Sequence, residues 1–223
     1  ANDAGRWLRL GDDTLVSASD TITQARTLLL QAANGSIDPN VRQPLANQLE
    51  GLRSTLLDLA NTTLGGRPIF AGTANTTQAY DVNGVYVGDT AAVSRTIADG
   101  RDVTVSIPGV DVFGTLFADL ANAALAVASG DQSGMATAIS ALDARSTTIA
   151  GAQVTIGSRS VQVESASGRN DMHVEILRSD LSEIEDVDIA MAFVELKAQE
   201  ISYEAALSVT AKTVQPSLLD FLR

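Results

Sequence analysis

The 223-residue chain carries 15 Lys and Arg against 27 Asp and Glu, a formal net charge of −12, with a pI near 4.3. That balance excludes nucleic acid, whose phosphates demand a basic face, and it excludes an anionic membrane surface. The absence of Cys removes disulfides, thiolate chemistry and Cys-based metal sites together. Hydrophobic residues make up 45% but aromatics only 4%, so the core is Ala, Leu, Ile and Val. Such a core suits closely packed helices better than a substrate pocket. The acidic residues are scattered and read as a solvated surface. No stretch approaches the ~20 apolar residues of a membrane span. The opening Ala1-Asn2-Asp3 has neither Met nor a signal-peptide pattern and falls inside a helical pattern, as expected of a piece of a longer protein.

In chain order, Leu8, Gly11, Leu15, Ala18, Ile22, Ala25, Leu29 and Ala32 recur at alternating steps of three and four. This predicts a helix with a narrow apolar stripe, stopped at Asn34-Gly35. A second seam follows at Leu45, Leu49, Leu52, Leu56 and Leu59, with its start left open between Pro39 and Pro44. The short link makes the two helices antiparallel.

Composition changes at Gly65-Gly66-Arg67-Pro68, and β-branched residues, Gly, Asp and Asn dominate as far as Gly114. Asn83-Gly84, between Tyr80-Asp81-Val82 and Val85-Tyr86-Val87, predicts a tight hairpin. Asp99-Gly100 predicts another, and Val103, Val105 and Ile107 alternate as a half-buried strand does.

Helix resumes through Phe113, Leu116, Leu120, Ala123 and Val127 and stops at Ser129-Gly130. Leu142, Ile149, Ile156, Val163, Asn170, Leu177 and Ile184 then fall at every seventh residue. They predict a helix from about Ser133 to Ile184, on the order of 75–80 Å long. Gly151, Gly157 and Gly168 lie within it, either tolerated or marking the close approach of a neighbour.

The carboxyl-terminal segment carries one more seam: Val187, Met191, Val194, Ala198, Ile201, Ala205 and Ser208. It ends in Ser217-Leu218-Leu219-Asp220-Phe221-Leu222-Arg223. A helix with such a face needs a partner, so Val187–Arg223 is expected to be poorly ordered or paired with another molecule. The expected fold is mainly α: an elongated antiparallel helical bundle or rod, with a small β-hairpin insert and a terminal coiled-coil-type helix. The expected divisions are 1–65 and 113–185 for the two halves of the rod, 66–112 for the insert and 186–223 for the assembly helix. The rod itself is drawn from about Asp13–Thr63 and Phe113–Ile184.

Catalytic chemistry finds little support. His173 stands alone, without Cys or a second His, and reads as a surface residue of the long helix. Asp12-Asp13 and Asp186/Asp188 read as capping and dipole residues at helix starts, not as carboxylate pairs. Asp81, Asn83 and Asp89 fall short of a calcium loop. No nucleophile elbow accompanies the serines, and Leu64–Arg67 lacks the Lys-Ser/Thr of a phosphate loop. A two-carboxylate hydrolase would need a platform and converging loops that the sequence does not offer. The triplets starting at Asn34, Asn61 and Asn75 match the glycosylation pattern as chance matches. The chain is therefore expected to be no enzyme and to hold no cofactor and no metal.

Several segments resemble one family. Gln31-Ala32-Ala33-Asn34-Gly35 resembles the turn ending a helix in bacterial flagellins. Leu59-Ala60-Asn61-Thr62 with Gly65-Gly66-Arg67-Pro68-Ile69-Phe70-Ala71-Gly72 is similar to the flagellin-like, hook-associated branch at the hook–filament junction. Ser106-Ile107-Pro108-Gly109 with Val112-Phe113 resembles that branch as well. Glu185-Asp186-Val187-Asp188-Ile189-Ala190, Gln199, Tyr203-Glu204-Ala205-Ala206-Leu207 and Ser217–Leu222 look like the shared flagellin carboxyl terminus.

The resemblance implies a secreted, extracellular structural subunit of the bacterial flagellum that joins hook to filament. Its partners would be copies of itself in a ring, another hook-associated protein on the hook side and flagellin on the filament side, with an export chaperone. The assembly contacts it implies are Val187, Met191, Val194, Ile201, Leu218, Leu219, Phe221 and Leu222. Filament flagellin is the nearer alternative and a surface adhesin or binding module the remote one. Family members also have an amino-terminal arm that nothing before Ala1 supplies, so the chain alone is expected not to polymerise as they do.

Overall fold

The structure is a computed structural model that describes residues 2–33, 38–185 and 189–214. It divides into two compact units, Ala1–Asp171 and Met172–Arg223. In the first, α1 (Asn2–Ala33) buries every member of the first predicted seam, from Leu8 to Ala32. Trp7, Thr14 and Thr21 widen the buried face. The two threonines remain satisfied because each hydroxyl donates to the carbonyl one turn back, Leu10 at 2.6 Å and Ser17 at 2.8 Å. Because α1 begins at Asn2, Asp12 and Asp13 lie in mid-helix and cap nothing, contrary to the expectation. The rod's first helix accordingly starts well before Asp13. Asn34-Gly35 lies outside the described residues.

Helix α2 (Pro39–Ala60) starts at the first proline. The Asp38 carboxylate accepts the Asn40 amide at 2.9 Å, and Pro39 sits where its missing N–H costs nothing. Pro44 is inside the helix. Leu45, Leu49 and Leu56 are buried, while Leu52 and Leu59 are partly so.

Strands β1 (Thr63–Leu64) and β2 (Arg67–Pro68) form a minimal antiparallel hairpin. Its two turn residues, Gly65 and Gly66, both have positive φ (59° and 81°). Strands β3 (Ser94–Ala98) and β4 (Arg101–Thr104) form the second hairpin around Asp99-Gly100, with an irregularity between Thr96 and Ala98. The Asn83-Gly84 hairpin differs from expectation: it is a single bridge, Tyr80 to Tyr86, enclosing a five-residue loop. The reason is local. The Asp81 carboxylate takes the Asn83 and Val85 amides at 2.9 and 2.8 Å, so the backbone turns early around that side chain.

After the short α3 (Gly109–Val112), α4 (Leu116–Ser129) ends on Gly130 in the left-handed conformation, as the Ser129-Gly130 signal predicted. Helix α5 (Gln132–Glu185) is 54 residues long, about 80 Å of helix. Successive helices of the first unit run antiparallel. A Cβ placed on Gly130 of α4 would meet Arg42 of α2, and Arg53 of α2 donates to the Phe117 carbonyl of α4 at 3.0 Å. On α1 and α5 the paired positions are Gly5 with Val163, Gly11 with Ile156 and Arg26 with Asp143. A Cβ on Gly11 would lie 3.2 Å from Ile156 Cδ1, tight against the end of that side chain. The result is an up-down-up-down bundle.

The heptad seam of α5 is buried at Leu142, Ile149, Ile156 and Val163. Asn170, its one polar member, donates its amide to the Ile97 carbonyl of β3 at 3.2 Å. Beyond it the expectation of a buried seam fails: Leu177 is 56% exposed and Ile184 81%. Gly5 of α1 lies opposite Val163, and Asn2 lines the same groove as Ser167, one turn further along α5.

A Cβ on Gly151, Gly157 or Gly168 would meet no atom within 4 Å. These glycines are tolerated in the subunit and do not mark a close neighbour within it. Changing all three to Ala should raise stability by roughly 0.5–1 kcal/mol per site, visible as a higher Tm in thermal melts of the dilute chain. By contrast, Leu142→Ala should cost about 2–5 kcal/mol in the same assay.

Candidate assembly surface

Helix α6 (Ile189–Val214) belongs to the second unit. It is helical over its described length. Ser202, Thr210 and Thr213 donate to carbonyls one turn back, and Lys197 pairs with Glu200 at 2.6 Å. Every residue from Ile189 to Thr213 is exposed. Of the expected assembly residues, Met191 (69% exposed), Val194 (66%) and Ile201 (66%) stand on this helix. At alternating three and four spacing the three share one face. Val187, Leu218, Leu219, Phe221 and Leu222, like Asp186 and Asp188, lie outside the described residues.

The sequence reading missed a second line on the same helix. Ile189, Phe193, Leu196, Tyr203 and Leu207 are all exposed and recur at helical spacing, with Glu200 taking the remaining step. At ~100° per residue this line lies on the far side of α6 from the first. A search for one stripe stops at the first stripe, yet a helix apolar on two faces is made to be covered on both. In the same unit, Met172, Val174, Ile176, Leu177, Leu181 and Ile184 of α5 are exposed as well. Apolar side chains in that density on a water-facing surface mark an interaction site.

The β insert is fastened to the bundle by polar side chains. Asn61, which follows α2, accepts the Ala79 and Tyr80 amides at 2.8 Å each and donates to the Tyr80 carbonyl at 3.0 Å. With both ends of its amide engaged, Asn61 is no free glycosylation acceptor. Arg159 of α5 donates to the Ser106 carbonyl at 2.9 Å. Arg95 of β3 pairs with Asp3 at 2.9 Å and lies 5.5 Å from the centre of the Trp7 ring. Phe70, Tyr80, Tyr86, Phe113 and Phe117 form one aromatic cluster, with Tyr80 and Phe117 4.8 Å apart and Phe70 edge-on to Phe113 at 5.2 Å. Burial within the cluster pushes the Tyr80 phenol well above its ordinary range.

Two carboxylates shape the loops. Asp81 is held below the usual carboxylate range by the Val85 amide first, and Asp89 by the Thr73 amide first. Asp89 also accepts the Thr73 hydroxyl and the Ala91 amide. These oxygens are occupied by backbone amides and by the Thr73 hydroxyl and Asn83 amide side chains, an arrangement that shapes the loops. His173 is exposed on α5. Among the described residues there is no group of three or more His, Asp or Glu placed to hold a metal ion. None of the described helices is long and apolar enough to cross a membrane.

Residues 1–75 match the bacterial flagellin N-terminal helical region, and residues 139–222 match the bacterial flagellin C-terminal helical region. The chain belongs to the bacterial flagellin family. Among curated members, it is 31% identical over 115 residues to flagellar hook-associated protein 3 of Escherichia coli K12. That match covers 51% of this chain and 36% of the relative, so it spans about a third of the relative's length. The fold is similar to that of Xanthomonas campestris FlgL (TM-score 0.75, 16% identity, 82% of this chain and 95% of that one). It is also similar to Bacillus cereus FlgL (TM-score 0.69, 22% identity, 77% and 88%). This flagellin-family chain thus pairs a self-contained helical unit with a second unit whose apolar residues face water.

Carboxylates with depressed pKa stabilise the fold above the ordinary value of 3.8 and lose that contribution as pH falls through the folded value. Protection of the Thr73 and Ala91 amides, corrected for intrinsic exchange, should therefore drop as the solution is taken below about pH 4. Asp89→Asn should lower that protection at neutral pH and remove its pH dependence. An unchanged pH profile in the variant would show that Asp89 does not organise these loops.

Proposed function

We propose that this chain is a structural subunit of the bacterial flagellum, acting at the junction between hook and filament by helical packing and without catalysis. The observation that carries the reading is α6, a flagellin-family helix exposed from Ile189 to Thr213 and apolar on two faces. Its partners are copies of itself in a ring, a second hook-associated protein on one side and flagellin on the other. An export chaperone covers the terminal segment before assembly, and the subunit works outside the cell. The name of the curated relative supports the junction over the filament proper, as does the similarity to FlgL structures. The assembly contacts are Val187, Met191, Val194, Ile201, Leu218, Leu219, Phe221 and Leu222. The bundle of the first unit packs beside its neighbours, while the terminal helices bury one another.

The test places a label on the protein and locates it on intact flagella. A band at the hook–filament boundary is expected. Label along whole filaments would make the protein filament flagellin, and label away from the flagellum would overturn the reading. Leu218→Ala/Leu219→Ala/Phe221→Ala should leave the bundle folded and the protein exported, with filaments lost from the hooks. Normal filaments in that variant would remove the terminal segment from the assembly surface.

A further inference from the structure

Asn-Gly and Asp-Gly are the dipeptides most prone to close a ring with their own backbone, because glycine carries no side chain to shield its amide nitrogen. The described loops hold one of each, Asn83-Gly84 and Asp99-Gly100, and the fold treats them differently. Gly84 donates its amide to the Asp81 carbonyl at 2.9 Å. The Asp81 carboxylate takes the Asn83 backbone amide at 2.9 Å and its side-chain amide at 3.4 Å. Arg53 donates to the Asn83 carbonyl at 3.0 Å, and a Cβ on Gly84 would run into the Phe117 side chain. The Gly84 nitrogen cannot turn onto the Asn83 side chain without breaking these contacts. At the other turn, Asp99 and Gly100 are both exposed, between the paired Ala98 and Arg101. Gly100 has φ 65°, and a Cβ there would meet no atom within 4 Å. Among the described residues no hydrogen bond engages the Asp99 carboxylate or the Gly100 amide.

We infer that Asp99 is a site of spontaneous isoaspartate formation in the folded chain, and that Asp81 guards Asn83 against the same chemistry. The Gly100 nitrogen attacks Asp99 Cγ and closes a succinimide ring. One carboxylate oxygen leaves as water, with the amide proton and a proton from solvent. Water then opens the ring at the Asp99 backbone carbonyl carbon. The bond from that carbon to the Gly100 nitrogen breaks, the nitrogen regains a proton, and a carboxylate and a proton are released. Water lost in the first step is regained in the second, so the change is an isomerisation. The chain now runs through Cγ, one carbon longer, with the former main-chain carbonyl as a free carboxylate. The place matters because the register of a hairpin is fixed by its turn. A longer link between Ala98 and Arg101 disturbs the pairing of β3 with β4, and β3 carries contacts that fasten the insert to α1 and α5. These are Arg95, on Asp3 and the Trp7 ring, and the Ile97 carbonyl, on Asn170.

Asp99→Asn puts the same reactive pair in both loops, so that the two positions compare directly. The full-length variant is incubated at neutral pH, folded and in urea. Deamidation is followed by tryptic peptide mapping, which separates position 99 from position 83 and from Asn34-Gly35. In urea the two loop positions are expected to react alike. In the folded chain position 99 should keep most of its unfolded rate, while Asn83 falls at least about tenfold below its own. Asn83 reacting as fast as position 99 in the folded chain would overturn the inference, and so would equal slowing of both. Adding Asp81→Ala should restore much of the unfolded rate at Asn83, and no change there would remove Asp81 as the guard. In the unsubstituted chain, isoaspartate labelled by a carboxyl methyltransferase is expected to accumulate in the peptide Thr96–Arg101. Label in that peptide from the urea sample alone would overturn the assignment of Asp99. Trp7 is the sole Trp, and acrylamide should quench it more readily in the converted fraction. Unchanged quenching would show that the turn does not hold the hairpin on α1.

Discussion

The packing of α1 against α5 is the constraint on which the rest depends. A heptad seam of Leu142, Ile149, Ile156 and Val163 stays in water unless a second helix runs antiparallel along it. Helix α1 supplies that surface with small residues at the close approaches, Gly5 opposite Val163 and Gly11 opposite Ile156. Each buried Leu or Ile contributes roughly 1.5–3 kcal/mol, so the seam holds the two helices together without any strong polar bond between them. The Arg26–Asp143 pair is exposed and adds little to this. Helices α2 and α4 then close the bundle, and the β insert takes its position from atoms that the bundle presents: the Asn61 amide, the Asn170 amide, Arg159 and the ring of Trp7.

The same seam explains the change of character along α5. Up to Asn170 its heptad positions meet protein, and past it the identical pattern meets water at Leu177 and Ile184. Helix α6 has no side of its own that is buried. The subunit thus joins a part that satisfies its own apolar surface to a part that does not. Apolar side chains exposed at that density mark a surface for other molecules.

The helices and most of their seams were legible in the sequence because each is a local, periodic signal. The eight seam positions of α1, the Gly130 stop and the Asp99-Gly100 hairpin follow from spacing alone. What sequence alone did not show depends on distant parts of the chain. Nothing in the order of residues brings Phe70, Tyr80, Tyr86, Phe113 and Phe117 together, although they hold most of the few aromatics and form the insert's core. Asn61 looked like half of a family motif, and its role as a three-bond bracket appears only when Ala79 and Tyr80 fold back upon it. The tight hairpin at Asn83-Gly84 was overestimated because a two-residue turn signal is silent about a neighbouring carboxylate that competes for the amides. On α6, one face was expected and two are present.

The central claim is that α6 is exposed in the subunit and covered in the assembly, while the α1–α5 seam is buried in both. Hydrogen exchange of the free chain and of the same chain on isolated flagella measures this directly. The account predicts that amides of Ile189–Val214 gain strong protection on assembly, with little change in those around Leu15 and Ile149. Equal protection of α6 in the two states would contradict it.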